Sequence, residues 1–188
     1  MKKIYAVAAC VMAAYFVLAV IVLPKSYENS HTNVPQPRLE VSISDEQILI
    51  GESFRVDIKS YNDGDVADLQ IVTVSFPQNE NLDGVKIISY DFLQSPKMIE
   101  VGRDVGAQYG EGTAISQYPF LEAYSRPSKS GDTFGMVLEI TPKEAGQFRI
   151  YAKSVAMPHS GSSHFPSGGL LDHQNEFVAE YTVEVSER

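Results

Sequence analysis

Apolar and polar side chains alternate along most of this sequence after residue 37. In "SFRVDIKSY", Phe54, Val56 and Ile58 fall on one face of an extended chain, and charged residues dominate the other. Similar alternation recurs in four further segments: 38–44, 133–142, 146–157 and 176–185. Such alternation predicts strands that bury one face. The β-branched run "DLQIVTVSFP" and the segments "GVKIISYDFL" and "KMIEVG" add further strands. A total of about seven to nine strands predicts an all-β protein, built as an antiparallel β-sandwich.

The N-terminus carries a different signal. Ile4 to Leu23 is a run of 20 apolar residues without a charge, preceded by Lys2 and Lys3. A membrane-spanning helix needs about 20 such residues, whereas a cleaved signal peptide has a shorter run that ends in small residues. We therefore expect residues 1–24 to be an uncleaved transmembrane signal-anchor. The basic residues before it predict a cytoplasmic N-terminus and a C-terminal domain outside the cell membrane.

Charge and cysteine content limit what the exported part can do. Residues 25–188 hold all 24 acidic residues and 13 of the 15 basic ones, a net charge of −11. Nucleic acid and anionic lipid need a basic surface, so neither is an expected partner of this part. The single cysteine, Cys10, lies in the apolar run, so no disulfide is expected outside it. A domain of this length can bury enough apolar surface without one.

The exported part is longer than one sandwich requires. Residues 25–37 are polar with two prolines and are expected to form a short stalk. The domain at 38–188 exceeds the roughly 100 residues of a simple sandwich. We expect the surplus to form two insertions, at 102–132 and 157–175.

Two stretches resemble immunoglobulin-like (Ig-like) domains. In "PKEAGQFRIYA", Glu144, Gly146, Phe148 and Ile150 stand in the register of the turn into strand F. The stretch from residue 39 to 76 is similar to adhesion-type Ig-like modules of bacterial and archaeal surfaces. The resemblance implies an Ig-like fold. Phe148 replaces the tyrosine that such domains often carry, and Ile150 replaces their cysteine, so the tyrosine corner and the core disulfide are not expected.

The C-terminal part also resembles, more faintly, the exported B subunit of ammonia and methane monooxygenases. The shared order is a "PxxAG" turn, a strand, a loop, a "PxGG" motif and a final strand. That family carries a His-x-His copper pair on the strand after the first turn. The matching strand here reads Arg149-Ile150-Tyr151, without histidine, so the resemblance carries no copper role to these residues.

The segment 156–174 gathers soft and borderline metal ligands: Met157, His159, His164 and His173. Their side chains could suit copper or zinc, but the spacing matches no compact zinc motif. We expect no bound metal or other cofactor, and keep a copper site as the alternative. No nucleophile stands in a recognisable catalytic motif, so no catalytic residue and no enzymatic activity are predicted.

The insertion at 102–132 is rich in aromatic residues. Tyr118, Phe120 and Tyr124 form a candidate partner-binding surface, since tyrosine is favoured at interfaces. The alternative is that these rings pack on the edge of the sandwich itself. The sequence therefore predicts a membrane-anchored, extracytoplasmic binding or assembly protein, which could be an accessory subunit of a membrane complex. The alternative is a metal-binding or copper monooxygenase-associated protein.

Overall fold

The computed structural model describes residues 2–22, 34–105, 114–158 and 161–187. The chain divides into two compact units, residues 1–33 and residues 34–188. In the first unit, an α-helix, α1 (Lys2–Val17), continues into a short π-helix (Leu18–Val22). Within the described ranges, no helix is both long and apolar enough to cross a membrane.

The second unit consists of strands. They are, in chain order, β1 (Pro37–Ile43), β2 (Gln47–Leu49), β3 (Phe54–Asn62), β4 (Leu69–Ser75), β5 (Val85–Tyr90), β6 (Lys97–Ile99), β7 (Asp104–Val105), β8 (Ala114–Ile115), β9 (Phe120–Tyr124), β10 (Thr133–Ile140), β11 (Gly146–Met157), β12 (Ser163–Phe165), β13 (Leu170–Leu171) and β14 (Phe177–Ser186). The expected all-β class is confirmed.

Two main sheets hold most of these strands. The first has the order β1-β3-β10-β5, and every pairing is antiparallel. The second has the order β13-β14-β11-β4-β9-β6, with β12 beside β11 and β2 running parallel to β14. The strands β7 and β8 form a separate antiparallel pair. Seven strands thus follow the ABED and CFG arrangement of a constant-type Ig sandwich, and β6 and β9 extend its second sheet.

The core lies between the two main sheets. Phe54 of the first sheet meets Phe148 of the second edge-to-face, with ring centroids 5.7 Å apart. The ring of Phe76 also lies beside Phe148, with ring centroids 6.0 Å apart. The alternation predicted for β3 is confirmed, because Phe54, Val56 and Ile58 are buried while the residues between them are exposed. The two sheets therefore bury one shared apolar layer.

The chain reaches β1 at the end of the sandwich where β3 finishes. The side chain of Asn62, fully buried, accepts hydrogen bonds from the backbone N–H groups of Gln36 and Gly64, at 2.9 and 3.0 Å. A Cβ atom on Gly64 would lie 2.4 Å from the carbonyl oxygen of Val34. The "NDG" turn thus needs glycine because the incoming segment crosses directly over it.

Candidate functional site

The outer face of the second sheet is covered in part by the two insertions. Residues of β11 alternate about this sheet, so that Ile150 and Ala152 join the core while Tyr151 and Lys153 face outward. Ala179 on β14 lies opposite the core residue Ala152, so its neighbour Val178 faces outward, yet Val178 is only 4% exposed. An apolar side chain buried on an outer face must lie under other parts of the chain. A candidate site therefore lies between this face and the segments that cover it.

Lys153 is the charged centre of the site. Its ammonium nitrogen lies 2.6 Å from Oδ2 of Asp172 and also contacts Oε2 of Glu176. The side chains of Lys153 and Asp172 are only 8% and 3% exposed. Removing one partner of such a buried ion pair leaves an uncompensated charge, which typically costs about 3–5 kcal/mol. The ion pairs therefore fasten the segment before β14 to the middle of β11.

The turn that supplies both carboxylates is organised around Asp172. Oδ1 of Asp172 accepts hydrogen bonds from the backbone N–H groups of Gln174 and Glu176, at 2.8 and 3.0 Å. The turn also needs a left-handed residue, and Asn175 supplies it at φ 60°, a conformation that asparagine tolerates better than most residues. The two oxygens of Asp172 thus have separate roles, because Oδ1 shapes the turn and Oδ2 faces Lys153.

An aromatic group covers the ion pairs. The rings of Tyr118 and His173 meet edge-to-face with centroids 4.5 Å apart, and Tyr118 meets Tyr151 in the same way at 6.2 Å. The hydroxyl of Tyr118 and both ring nitrogens of His173 are buried, and they have no hydrogen-bond partner within the described part of the chain. Such groups normally bind something polar, since leaving one unsatisfied costs about 1–3 kcal/mol.

Burial determines how these two rings titrate. It raises the pKa of Tyr118 well above its usual value, and the nearby carboxylate of Asp172 adds to the rise. The backbone of His173 lies near the hydroxyl of Tyr118 and opposes the rise in pKa, but it makes no hydrogen bond to that hydroxyl. Burial lowers the pKa of His173 below its ordinary value; Asp172 opposes this shift and Lys153 reinforces it. Both rings are therefore held in their neutral forms near neutral pH.

A small cavity of about 20 Å³ lies among these groups. Its polar lining includes Tyr118, Glu122, Lys153, Asp172 and His173. That volume suffices for about one water molecule. A water there could bond to the orphaned polar atoms of Tyr118 and His173.

The structure places the proposed metal ligands in different surroundings. Met157 ends β11, and the exposed His164 on β12 pairs with Ser162 through Nε2 at 3.0 Å. His173 packs under Tyr118 instead, and His159 lies outside the described residues. Among the residues that are described, no group of three or more histidine, cysteine or acidic side chains could hold a metal ion. The expectation of no bound metal stays a prediction, with a copper site as its alternative, and titration with Cu²⁺ and Zn²⁺ would test it.

The aromatic residues proposed as a partner surface lie within the fold. Phe120 and Tyr124 belong to β9 and are only 5% and 8% exposed. The hydroxyl of Tyr124 contacts the carboxylate of Glu122, and the ammonium of Lys97 lies 4.7 Å from its ring centroid. This placement matches the alternative in which the rings pack on the sandwich itself. Partner binding by these residues stays a prediction.

Sequence reasoning missed the residues at the centre of the site. Lys153 looked like an ordinary polar residue of an alternating strand, Asp172 like a polar residue of the insertion at 157–175, and Glu176 like an outward-facing residue at the start of the last strand. One signal was present: Lys153 interrupts "RIYAKSVAM", the most apolar part of β11. Lysine is almost never fully buried unless it is paired, so a lysine at this position requires an acidic partner. The partners lie 19 and 23 residues away, beyond the reach of any local motif.

Comparisons with known proteins assign no family. No family model and no curated protein matches the chain. Among solved structures, a β-glucosidase from Listeria innocua in complex with glucose aligns at TM-score 0.39 and 16% identity, over 80% of this chain but only 16% of that one. The chain thus spans about a sixth of that enzyme.

Two other structures match over most of their own length. A CARDB domain from Pyrococcus furiosus, in complex with di-metal ions, aligns at TM-score 0.37 and 13% identity, over 81% of this chain and 89% of that one. AvmM, which catalyzes macrocyclization in alchivemycin A biosynthesis, aligns at TM-score 0.41 and 11% identity, over 82% of this chain and 89% of that one. The comparisons give no support to the monooxygenase resemblance, and likenesses this distant indicate no function.

Proposed function

We propose that the chain is a membrane-anchored, extracytoplasmic protein whose Ig-like sandwich binds a protein partner, as an assembly or accessory component. The observation that carries the proposal is an apolar edge formed by Ile88, Tyr90, Leu93 and Met98. All four side chains are exposed, and Leu93 most of all, at 67%. Several exposed apolar groups on and between two edge strands are more than the scattered single ones that every surface carries, and such groupings commonly mark interaction sites.

The apolar edge lies where the sandwich is open. Tyr90 ends β5, the edge strand of the first sheet, and Met98 lies in β6, the edge strand of the second. Between them the chain crosses from one sheet to the other, with Leu93 donating its N–H to the carbonyl of Tyr124 at 3.0 Å. Edge strands offer unpaired backbone groups as well as side chains. A partner with an extended, apolar segment suits such an edge.

The anchor is the second part of the proposal. It rests on the uncharged run from Ile4 to Leu23 and on large apolar side chains exposed along α1, such as Val11 and Phe16. A helix that is apolar on all sides is typical of a buried or membrane environment. The strongly acidic charge of the remaining chain favours a protein partner over nucleic acid or anionic lipid.

The apolar edge can be tested with a photo-crosslinking residue in place of Leu93 in cells that make the full chain. We expect one adduct of defined mass, which disappears when Tyr90→Ser and Met98→Ser are combined with it. The matched control carries the crosslinker at Val66, an exposed apolar residue in the turn between β3 and β4. The proposal is wrong if position 93 gives no adduct, or if both positions give the same one.

A further inference from the structure

We propose that Lys153 and Asp172 join in an amide bond between their side chains, formed by the folded chain itself. The bond would close a covalent ring between β11 and the turn before β14. The observation that points to it is the buried group of Lys153, Asp172 and Glu176. This inference goes beyond the proposed binding function and does not depend on it.

Lys153 is placed as the nucleophile. Its nitrogen lies 2.6 Å from Oδ2 of Asp172, so the carboxyl carbon is only one covalent bond farther away. Both side chains are almost entirely buried, which holds the pair together and keeps bulk water out. Groups held in this way react with effective molarities of about 10⁵–10⁸ M. Such positioning lowers the barrier to formation of the amide bond.

Asp172 is placed as the electrophile. During attack, negative charge develops on the carboxyl oxygen that stays in the product. Oδ1 of Asp172 accepts two backbone N–H groups, from Gln174 at 2.8 Å and Glu176 at 3.0 Å. A pair of backbone donors aimed at one oxygen is the arrangement that stabilises an oxyanion. Oδ2, which faces the ammonium, is therefore the oxygen that leaves.

Glu176 is placed to move the protons, since its Oε2 contacts the same ammonium nitrogen. It takes one proton from the ammonium before the attack and a second from the nitrogen after it, and it passes each in turn to Oδ2. The bond between Nζ and Cγ forms, and the bond between Cγ and Oδ2 breaks. Of the three ammonium protons, one stays on the amide nitrogen and two leave with Oδ2 as water, so Glu176 ends unchanged. No oxidant, reductant or cofactor is needed, and the adjacent cavity of about 20 Å³ can hold the released water.

The decisive measurement is the mass of the purified full chain after denaturation, followed by peptide mapping. We expect a mass lower than that calculated from the sequence by one water. We also expect one branched peptide that joins the segments containing Lys153 and Asp172. A wild-type chain at its full calculated mass would overturn the proposal and leave the group as an ion pair.

Variants assign the roles of the three residues. Lys153→Arg and Asp172→Ala are each expected to show their full calculated masses. Glu176→Gln, which keeps the size of the side chain but cannot carry the proton, is expected to be at least ten-fold depleted in the branched peptide. The matched control is Lys143→Met. Lys143 pairs with Asp83 at 3.0 Å on the surface, and its loss should leave the branched peptide unchanged.

Two results would contradict this assignment. A water loss that persists in Lys153→Arg would place the dehydration elsewhere and overturn the proposal. A branched peptide at wild-type level in Glu176→Gln would overturn the role of Glu176. Because the bond forms only in the folded chain, circular dichroism of each variant before denaturation shows that folded chains are being compared.

Discussion

Phe148 is the residue through which the two sheets meet. Its ring touches Phe54 of the first sheet edge-to-face and lies beside Phe76. The sequence places it correctly, since the spacing from Glu144 and Gly146 predicted an inward position in strand F. A local pattern sufficed here because alternation along one strand decides which side chains face the core.

Phe148→Ala is expected to lower the free energy of unfolding by about 3–5 kcal/mol, through lost burial and the cavity left behind. Urea denaturation followed by circular dichroism measures the change. Phe177→Ala is the matched control, because Phe177 is exposed on β14 and its loss should cost about 0.5 kcal/mol or less. A midpoint close to the wild-type value for Phe148→Ala would show that the ring lies outside the core.

His173 makes stability depend on pH. Burial lowers its pKa in the folded state below the ordinary value of about 6.5, so the unfolded chain binds the proton more readily. Its contribution is present in full above about pH 6.5 and is lost as pH falls toward the lowered pKa. We expect His173→Phe to flatten the decline in unfolding free energy between about pH 7.5 and pH 5.

The control for His173 is His164→Phe, at an exposed residue of β12. Urea denaturation at several pH values gives both slopes. The control should keep the wild-type decline. An identical decline in wild type and His173→Phe would show that His173 is free to accept its proton in the folded state.

At the scale of elements, the sequence predicted the regular strands better than the insertions. The segment 102–132 was expected to be one long insertion, and within it lies β9, a strand buried along its whole length. The sequence "FLEAY" does not indicate a fully buried strand, because a glutamate such as Glu122 normally marks the solvent-exposed face of a sheet. The glutamate is buried instead because β7 and the turn before β14 cover that face. Only the three-dimensional fold reveals that cover.

The position of β9 predicts what its aromatic residues do. It pairs with β4 on one side and β6 on the other, so Phe120 supports an inner strand. Phe120→Ala is expected to destabilise the sandwich by about 3 kcal/mol. The control is Ile115→Ala on β8, whose side chain is exposed. The urea denaturation midpoints of the two variants measure the difference. A Phe120→Ala variant as stable as the wild type would favour the interpretation of this insertion as a partner-binding surface.

The leucines of the insertion at 157–175 do not hold it against the sandwich. Leu170 and Leu171 form β13, and both side chains are exposed. The segment is fastened instead by charge, through Lys153 and the turn at Asp172. No spacing rule predicts this, because the partners approach only when β14 pairs with β11.

At the scale of the whole molecule, the alternation of apolar and polar residues predicted the β-sandwich. The order of the strands in its two sheets resembles the Ig-like order that the two sequence stretches implied. The candidate site was not predicted, because it is built from three separate segments on the outer face of one sheet. The membrane anchor remains a proposal about the molecule as a whole.

The full chain is expected to stay with membranes after an alkaline wash, whereas a variant lacking residues 2–22 should be released. A matched variant that keeps the helix but lacks its two lysines tests orientation by protease protection, since the basic residues set it. Release of the intact chain by the wash, or a mature N-terminus near Lys25, would overturn the anchor.

The parallel pairing of β2 with β14 has a mechanical consequence. Pro37 lies at one end of the sandwich, beside Asn62, and Ser186 lies at the other, beside Leu49. A pull on the two ends of the domain therefore acts along β2 and β14 in opposite directions. The bonds from Glu184 to Glu46 and from Ile50 to Ser186 are then loaded in shear, all at once, instead of opening one after another. A domain held at its N-terminal side and pulled from its C-terminal side would resist tension best along this line.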